Sequence, residues 1–178
     1  DRFDGHFNRG VTLARLRRAQ EAAQAFREAL AQAEPEATAA DRIAAHIALA
    51  GQLELAGDHA GAADAYADAL QLDPENADYV LRRGQALYNA GQGLVALPEL
   101  TELEARSGDY RVSALISDIY VAQGQIDYAI WSLERALEKA RAASDTKAQA
   151  STLIKLGTLQ RSLGREADAA ESYRLAAE

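Results

Sequence analysis

The sequence contains no cysteine, no methionine and only three prolines in 178 residues, and its aromatic content is 6%. The lack of cysteine excludes disulfides and thiolate chemistry, although it leaves the cellular compartment open. No run of 18 apolar residues occurs, so no segment is predicted to span a membrane. Runs of β-branched residues are nearly absent, which leaves a β-sheet without an obvious source. Because the chain begins with Asp1 and lacks methionine, we expect a fragment or a processed product of a longer protein.

The chain is acidic, with a formal charge of −8 and a pI near 4.9. Nonspecific binding to nucleic acid or to an anionic membrane needs a basic surface, so this charge argues against both classes of partner. Arg15, Arg17 and Arg18 form a small basic cluster. We interpret it as a solvated helix face, with a phosphate site as the alternative.

One pattern of residues recurs five times along the chain. Each copy begins with a small residue, and three positions later stands a residue that is large in four of the five copies. Ala follows nine positions after that one. A bulky residue comes four positions after this Ala, and usually another Ala three positions later. The five copies are Gly10-Leu13-Ala22-Phe26-Ala29, Ala50-Leu53-Ala62-Tyr66-Ala69, Gly84-Leu87-Ala96-Leu100-Leu103, Ser117-Tyr120-Ala129-Leu133-Ala136 and Gly157-Gln160-Ala169-Tyr173-Ala176. We call the first residue of each copy its anchor. Recurrence at such a period indicates a repeat architecture.

The spacings have physical reasons. A small residue lets two helices cross closely, and the large residue three positions later fills the same face. Four positions after that residue stands a glycine in four copies, at Gly57, Gly91, Gly124 and Gly164, whereas the first copy has Arg17. Glycine at this place supplies the left-handed conformation that ends a helix. Each copy is therefore predicted to be a helical hairpin.

The pattern resembles the tetratricopeptide repeat family, whose signature joins small and large residues, a turn glycine, Ala, an aromatic residue and Ala. The resemblance extends from about residue 3 to residue 177. It implies an all-α fold, a right-handed superhelical α-solenoid of antiparallel helix pairs with about ten helices and no sheet. We expect a single array over 1–178, with repeats at about 3–36, 37–76, 77–109, 110–143 and 144–178.

The anchors are separated by 40, 34, 33 and 40 residues, so two junctions exceed the family period of 34 by about six residues. The extra residues fall at Pro35–Asp41 and Ala143–Gln149, where we predict longer helices and not floppy loops. Thr38 or Asp41 is expected to cap one helix, and Ser144 or Asp145 another. Long repeats of this kind resemble those of peptide-sensing regulators and of kinesin-light-chain scaffolds.

Two other departures concern the third and fifth repeats. Pro98 stands within the second helix of the third repeat, so that helix is expected to begin close to Pro98 or to bend there. The fifth repeat ends within its second helix and is followed by no polar capping helix. We therefore expect either that the natural protein continues past Glu178 or that this end packs on another molecule, for example in self-association.

The residues offer little for catalysis. The histidines His6, His46 and His59 lack the four-residue spacing that places two metal ligands on one helix face, so all three are predicted to be structural. Gly91-Gln92-Gly93 lacks the remaining residues of a phosphate-binding loop and fits a turn. We predict that the protein is not an enzyme and uses no metal or cofactor.

The family resemblance implies a concave groove lined by the first helix of each repeat. Carrying the family spacing over from the anchors selects a mixed apolar and polar lining. Its members are Phe7, Val11, Arg15, Ile47, Glu54, Leu81, Gln85, Tyr88, Asn89, Asp118, Val121, Ile154, Thr158 and Arg161, and the same spacing also selects Ala14, Gly51, Leu55, Ala114, Ala122 and Ser162. The Lys and Asn residues with which chaperone-binding members hold a terminal carboxylate are absent from the matching positions, so that class of partner is disfavoured.

The expected function is a protein–protein interaction scaffold that binds a peptide or a short helix of a partner in this groove. The alternative is a peptide-sensing regulatory module that controls an attached effector domain. Both take a protein or peptide as partner, without nucleic acid and without membrane insertion. The excess of Arg over Lys and the abundance of Ala are typical of bacterial proteins, whereas cytoplasmic and periplasmic locations both stay open.

Overall fold

A computed structural model of the chain describes residues 2–33 and 37–178. These residues form ten α-helices and contain no β-strand, in agreement with the predicted all-α class. The helices are α1 Arg2–Arg15, α2 Ala19–Ala31, α3 Ala39–Leu55, α4 His59–Leu72, α5 Ala77–Asn89, α6 Gly93–Arg106, α7 Tyr110–Ala122, α8 Ile126–Ala142, α9 Thr146–Ser162 and α10 Glu166–Ala176.

The helices form two compact units, Asp1–Ala96 (unit 1) and Leu97–Glu178 (unit 2), with the boundary inside α6. Within unit 1, each helix from α1 to α5 packs on the next one along the chain. Unit 2 repeats this arrangement from α7 to α10. The first helix of each predicted repeat has an odd number and the second helix has the even number that follows it.

The recurring residues occupy the interfaces between helices. The central Ala residues, Ala22, Ala62, Ala96, Ala129 and Ala169, are all at most 1% exposed. The anchors are buried as well, and the Ser117 hydroxyl donates a hydrogen bond of 2.9 Å to the backbone oxygen of Ala129. A side chain at Gly10 would place its Cβ 2.6 Å from the Phe26 ring, and one at Gly157 would lie 2.9 Å from the ring of Tyr173. The small anchors therefore allow the paired helices to approach closely.

The hairpin turns all adopt one conformation, with or without glycine. Gly57, Gly91, Gly124 and Gly164 have φ between 71° and 80°. Arg17, which replaces glycine in the first repeat, has a φ of 57°. The hydrogen bonds of a left-handed helix end are made there too, since the amide of Arg18 donates to the Leu13 carbonyl oxygen. Packing of α1 on α2 thus imposes the turn on a residue that disfavours it.

The lengthened junctions form longer helices, as predicted. Helices α3, α8 and α9 each have 17 residues, against 13 or 14 for their counterparts α1, α5, α7, α2, α4 and α6. Part of the first junction, including Pro35, lies outside the described residues. Thr38 caps α3 in a capping box with Asp41, and Asp145 caps α9 by accepting a hydrogen bond from the amide of Ala148.

The expectation that the sixth helix begins close to Pro98 is wrong. Helix α6 begins five residues earlier, at Gly93, and includes Pro98 in its interior. Proline there cannot donate the hydrogen bond to the carbonyl four residues before it. The carbonyl left without this donor belongs to Leu94, whose side chain is 54% exposed.

Unit 2 contains a buried charged group in its interior. The Glu104 side chain on α6 is 5% exposed. Its carboxylate accepts a hydrogen bond from the Ser113 hydroxyl on α7 and lies 3.2 Å from Arg135 Nε on α8. Lys139 Nζ donates to the Glu104 backbone oxygen at 3.0 Å, and burial lowers the pKa of Lys139 although Glu104 opposes the shift. The Ser113 hydrogen bond and the charge of Arg135 compensate the carboxylate for its loss of water.

Candidate functional site

Three of the selected residues lie on α1, where packing uses part of the surface. Phe7 is half-buried and packs on the rings of Phe3 and Phe26, with centroids 5.8 Å and 5.4 Å away. Val11 is half-buried, and Arg15 is exposed at the end of the helix. Arg15 is therefore the member of this group most accessible to a partner.

The selected residues of α3 differ in their surroundings. Ile47 and Glu54 are both half-buried. The hydroxyl of Tyr66, on α4, donates a long hydrogen bond of 3.4 Å to Glu54. Burial raises the pKa of Tyr66 and the Glu54 carboxylate adds to that shift. Leu55, at the end of α3, is 76% exposed.

Helix α5 presents a polar surface with one aromatic residue. Gln85 and Asn89 are exposed one turn apart, and the Gln85 amide donates to the Asn89 side-chain oxygen at 3.1 Å. Tyr88 is half-buried beside them. Leu81 is only 9% exposed, so its side chain belongs to the interior of unit 1.

In unit 2 the structure brings α7 and α9 together through a salt bridge. Lys155 Nζ on α9 donates to both carboxylate oxygens of Asp118 on α7, at 2.8 Å and 3.0 Å. Next to Lys155 on α9, Ile154 is 52% exposed, and Val121, one turn after Asp118, is 38% exposed. Each partner of this ion pair therefore has an exposed aliphatic side chain within three positions of it on its own helix.

The remaining residues of α9 continue this surface. Thr158 is exposed, and its hydroxyl donates to the Ile154 carbonyl at 2.8 Å and lies 3.2 Å from the Tyr173 hydroxyl. Arg161 is exposed near the end of the helix. The spacing rule missed Lys155, which stands two positions before its anchor. The charge opposite Asp118 is the signal that could have found it, but only once α7 and α9 were known to be adjacent.

The histidines lie beside carboxylates in the helix pairs. His6 Nδ1 is 3.1 Å from Glu28, and His46 Nδ1 is 3.6 Å from Asp68. Burial lowers the pKa of His46, Asp68 opposes that shift and Arg42 adds to it. Within residues 2–33 and 37–178, no group of three or more His, Asp or Glu side chains has a geometry that could hold a metal ion. None of the helices in the described part of the chain is both long and apolar enough to cross a bilayer.

Comparison with curated proteins gives one distant relative. The DnaJ homolog subfamily C member 3 of Bos taurus is 28% identical over 128 residues, which are 71% of this chain and 25% of that protein. The chain thus matches about a quarter of this relative's length. No family model matches the sequence.

Solved structures resemble the chain over nearly all of its length. MamA from Desulfovibrio magneticus RS-1 has a TM-score of 0.76 at 19% identity, covering 99% of this chain and 93% of the other. A putative kinesin light chain with TPR-like repeats from Podosopora anserina has a TM-score of 0.75 at 15% identity, covering 98% and 92%.

A third structure, the TPR protein YrrB, has a TM-score of 0.68 at 18% identity, covering 96% of this chain and 82% of its own. At these identities the similarity is one of fold. The buried small anchors and the left-handed turns indicate the same fold as these structural neighbours. The predicted resemblance is confirmed at that level, and the chain has the tetratricopeptide-repeat fold.

Proposed function

We propose that this protein is an interaction scaffold that binds a peptide or a short helix of a partner protein through its first helices. The observation that carries the proposal is that three exposed aliphatic side chains stand at selected first-helix positions, although the second helices α6 and α8 expose other apolar residues such as Leu94 and Trp131. Leu55 is 76% exposed on α3, Ile154 52% on α9 and Val121 38% on α7. Exposed aliphatic residues that stand beside polar groups can anchor a bound segment, while the polar groups fix its register.

Such binding would use the exposed residues of α7 and α9 in unit 2. Covering the exposed half of Ile154 contributes about 1 kcal/mol, and Val121 adds a smaller amount. Lys155 and Asp118, which form a salt bridge, offer the bound segment a hydrogen-bond donor and an acceptor. Thr158 and Arg161 offer further polar contacts that would fix the register of a bound segment.

One protein of similar structure supports peptide binding as a class of function. YrrB is described as a TPR protein with an unusual peptide-binding site. By analogy we extend peptide binding, as a class of function, to this chain. No catalytic step is part of the proposal.

The test compares two charged substitutions in unit 2. Peptides selected from a random library on the wild-type protein are measured against Ile154→Glu and against the control Tyr128→Glu. Tyr128 is 60% exposed on the second helix α8, so both substitutions replace an exposed apolar residue. Leu81 is unsuitable for this purpose because it is buried.

We expect Ile154→Glu to weaken binding at least about tenfold, since a buried unpaired charge costs more than 1.4 kcal/mol. Tyr128→Glu should leave the affinity unchanged. Peptides that bind both variants as well as wild type would contradict the assignment to the first helices. A change in the protein's own helix packing on peptide binding would favour the regulatory alternative over a rigid scaffold.

A further inference from the structure

Helix α9 carries three cations and no acid, in a chain that has 27 acidic and 19 basic residues. The cations are Lys147, Lys155 and Arg161. Every other helix contains at least one Asp or Glu. The surface of α9 is therefore locally basic on an acidic protein, and local charge of this kind influences which segments associate with it.

Five exposed residues of α9 follow one another at alternating spacings of four and three positions. In order along the helix they are Lys147, Ser151, Ile154, Thr158 and Arg161. Residues so spaced lie on one face of a helix, and we call this set the α9 stripe. A cation stands at each end, Ile154 at the centre is 52% exposed, and a hydroxyl side chain lies between. Each cation is about 10 Å along the helix axis from Ile154.

The two cations at the ends of the α9 stripe are not used by the protein itself. Within the part of the chain that the structure describes, the side chains of Lys147 and Arg161 make no ion pair and no hydrogen bond. Asp145, the acid that precedes α9, is engaged as its cap and accepts a hydrogen bond of 2.9 Å from the amide of Ala148. Both end cations are therefore available to a ligand.

Lys155, beside the α9 stripe, already holds a carboxylate from another helix. Its ammonium donates to both carboxylate oxygens of Asp118 on α7, at 2.8 Å and 3.0 Å. The side chain of Lys155 is 46% exposed and that of Asp118 is 35% exposed, so water reaches both partners. An exposed ion pair of this kind contributes little to stability. A carboxylate of a ligand can therefore compete with Asp118 for Lys155.

We propose that the α9 stripe binds an acidic, extended segment of a partner protein, with an apolar residue on Ile154 and one carboxylate toward each end cation. This inference rests on the proposed function and names the class of its ligand. An extended chain advances about 3.3 Å per residue, so acids three positions before and after the apolar residue match the spacing of the cations. Recognition uses side-chain carboxylates and no terminal carboxylate. Because the net charge of −8 disfavours acidic segments elsewhere, selectivity comes from this helix.

The probe is the peptide acetyl-Ser-Glu-Ser-Ser-Leu-Ser-Ser-Glu-Ser-amide, titrated into the ¹⁵N-labelled protein and followed by amide chemical shifts. Serine disfavours a helical peptide, and the blocked ends carry no charge. One control peptide has glutamine in place of both glutamates, and another has the same composition with both glutamates at one end. We expect the acidic peptide to shift amides of α9 with a Kd on the order of a millimolar. The glutamine peptide should bind about threefold to tenfold more weakly, and the rearranged peptide should also bind more weakly.

Three variants test where the acidic peptide binds. Arg161→Gln should weaken its binding about twofold to fivefold. The control Arg141→Gln removes the same charge from an exposed position on the second helix α8 and should leave the affinity unchanged. Asp118→Asn should tighten binding about twofold, because it releases Lys155 for the ligand, whereas a salt bridge with a structural role alone would give no gain. None of these side chains belongs to the buried core, so the variants retain the fold.

Equal binding of the acidic and glutamine peptides would overturn the inference, as would an unchanged affinity in Arg161→Gln or in Asp118→Asn. If that equal binding were lost in Ile154→Glu, the proposed function would stand and only its acidic ligand class would be refuted. Binding of neither peptide would refute the ligand class as well, while the selection from a random library decides the proposed function separately. Chemical-shift changes confined to α8 and α10 would place the peptide on the second helices and contradict the inference.

Discussion

Replacing Arg17 by glycine should stabilise the protein, although it removes a side chain and adds none. Arg17 has a φ of 57°, a conformation that costs a residue with a Cβ roughly 1–2 kcal/mol. Glycine removes that cost but makes the unfolded chain more flexible, which takes back about 0.4–1 kcal/mol. Arg17 is exposed, so no core contact is lost. The net gain is about 0.5–1 kcal/mol.

Thermal unfolding followed by circular dichroism measures this gain as a rise of about 2 °C in Tm. Arg15→Gly is the matched control, because Arg15 is exposed two residues earlier but is still helical. It should lower the stability by up to about 1 kcal/mol. If Arg17→Gly melted at or below the wild-type temperature, the inferred strain at this turn would be refuted.

Other substitutions test the caps, the close approaches and the buried charge. Thr38→Ala should cost about 1 kcal/mol in urea unfolding at neutral pH. Hydrogen bonds from Thr38 lower the pKa of Asp41. The stabilisation by the cap is therefore complete above about pH 4 and is lost as the pH falls through the lowered pKa of Asp41. The destabilisation caused by Thr38→Ala should accordingly shrink in acid. Gly157→Ala should cost up to about 2 kcal/mol, because its Cβ would meet the Tyr173 ring while the better helix propensity of alanine offsets about 1 kcal/mol, and melting temperatures would show it. Glu104→Gln should cost about 1–2 kcal/mol in urea unfolding, because it weakens the buried hydrogen bond with Ser113 and removes the charge opposite the partly exposed Arg135.

Much of the hairpin arrangement could be predicted from the sequence because its determinants are local. The turn glycines, the small anchors and the caps Thr38 and Asp145 all act within a few residues of their own position. Pro98 shows the limit of such reasoning. Local rules allow a helix start or a bend at proline, whereas α6 begins five residues before it, at Gly93.

The candidate sites depend on distances between helices, which the sequence does not state. Asp118 was selected by spacing, but its partner Lys155 is 37 positions away and becomes visible only when α7 lies beside α9.

The packing of each helix on its chain neighbours has a consequence for the rate of folding. In both units the main interfaces join helices that are consecutive in sequence, from α1 to α5 and from α7 to α10. Such a chain has a low contact order, so little loop-closure entropy must be lost before the first stabilising interfaces form. Folding can begin at any hairpin and spread to the next. A substitution that slows one hairpin should therefore leave the others free to start the reaction.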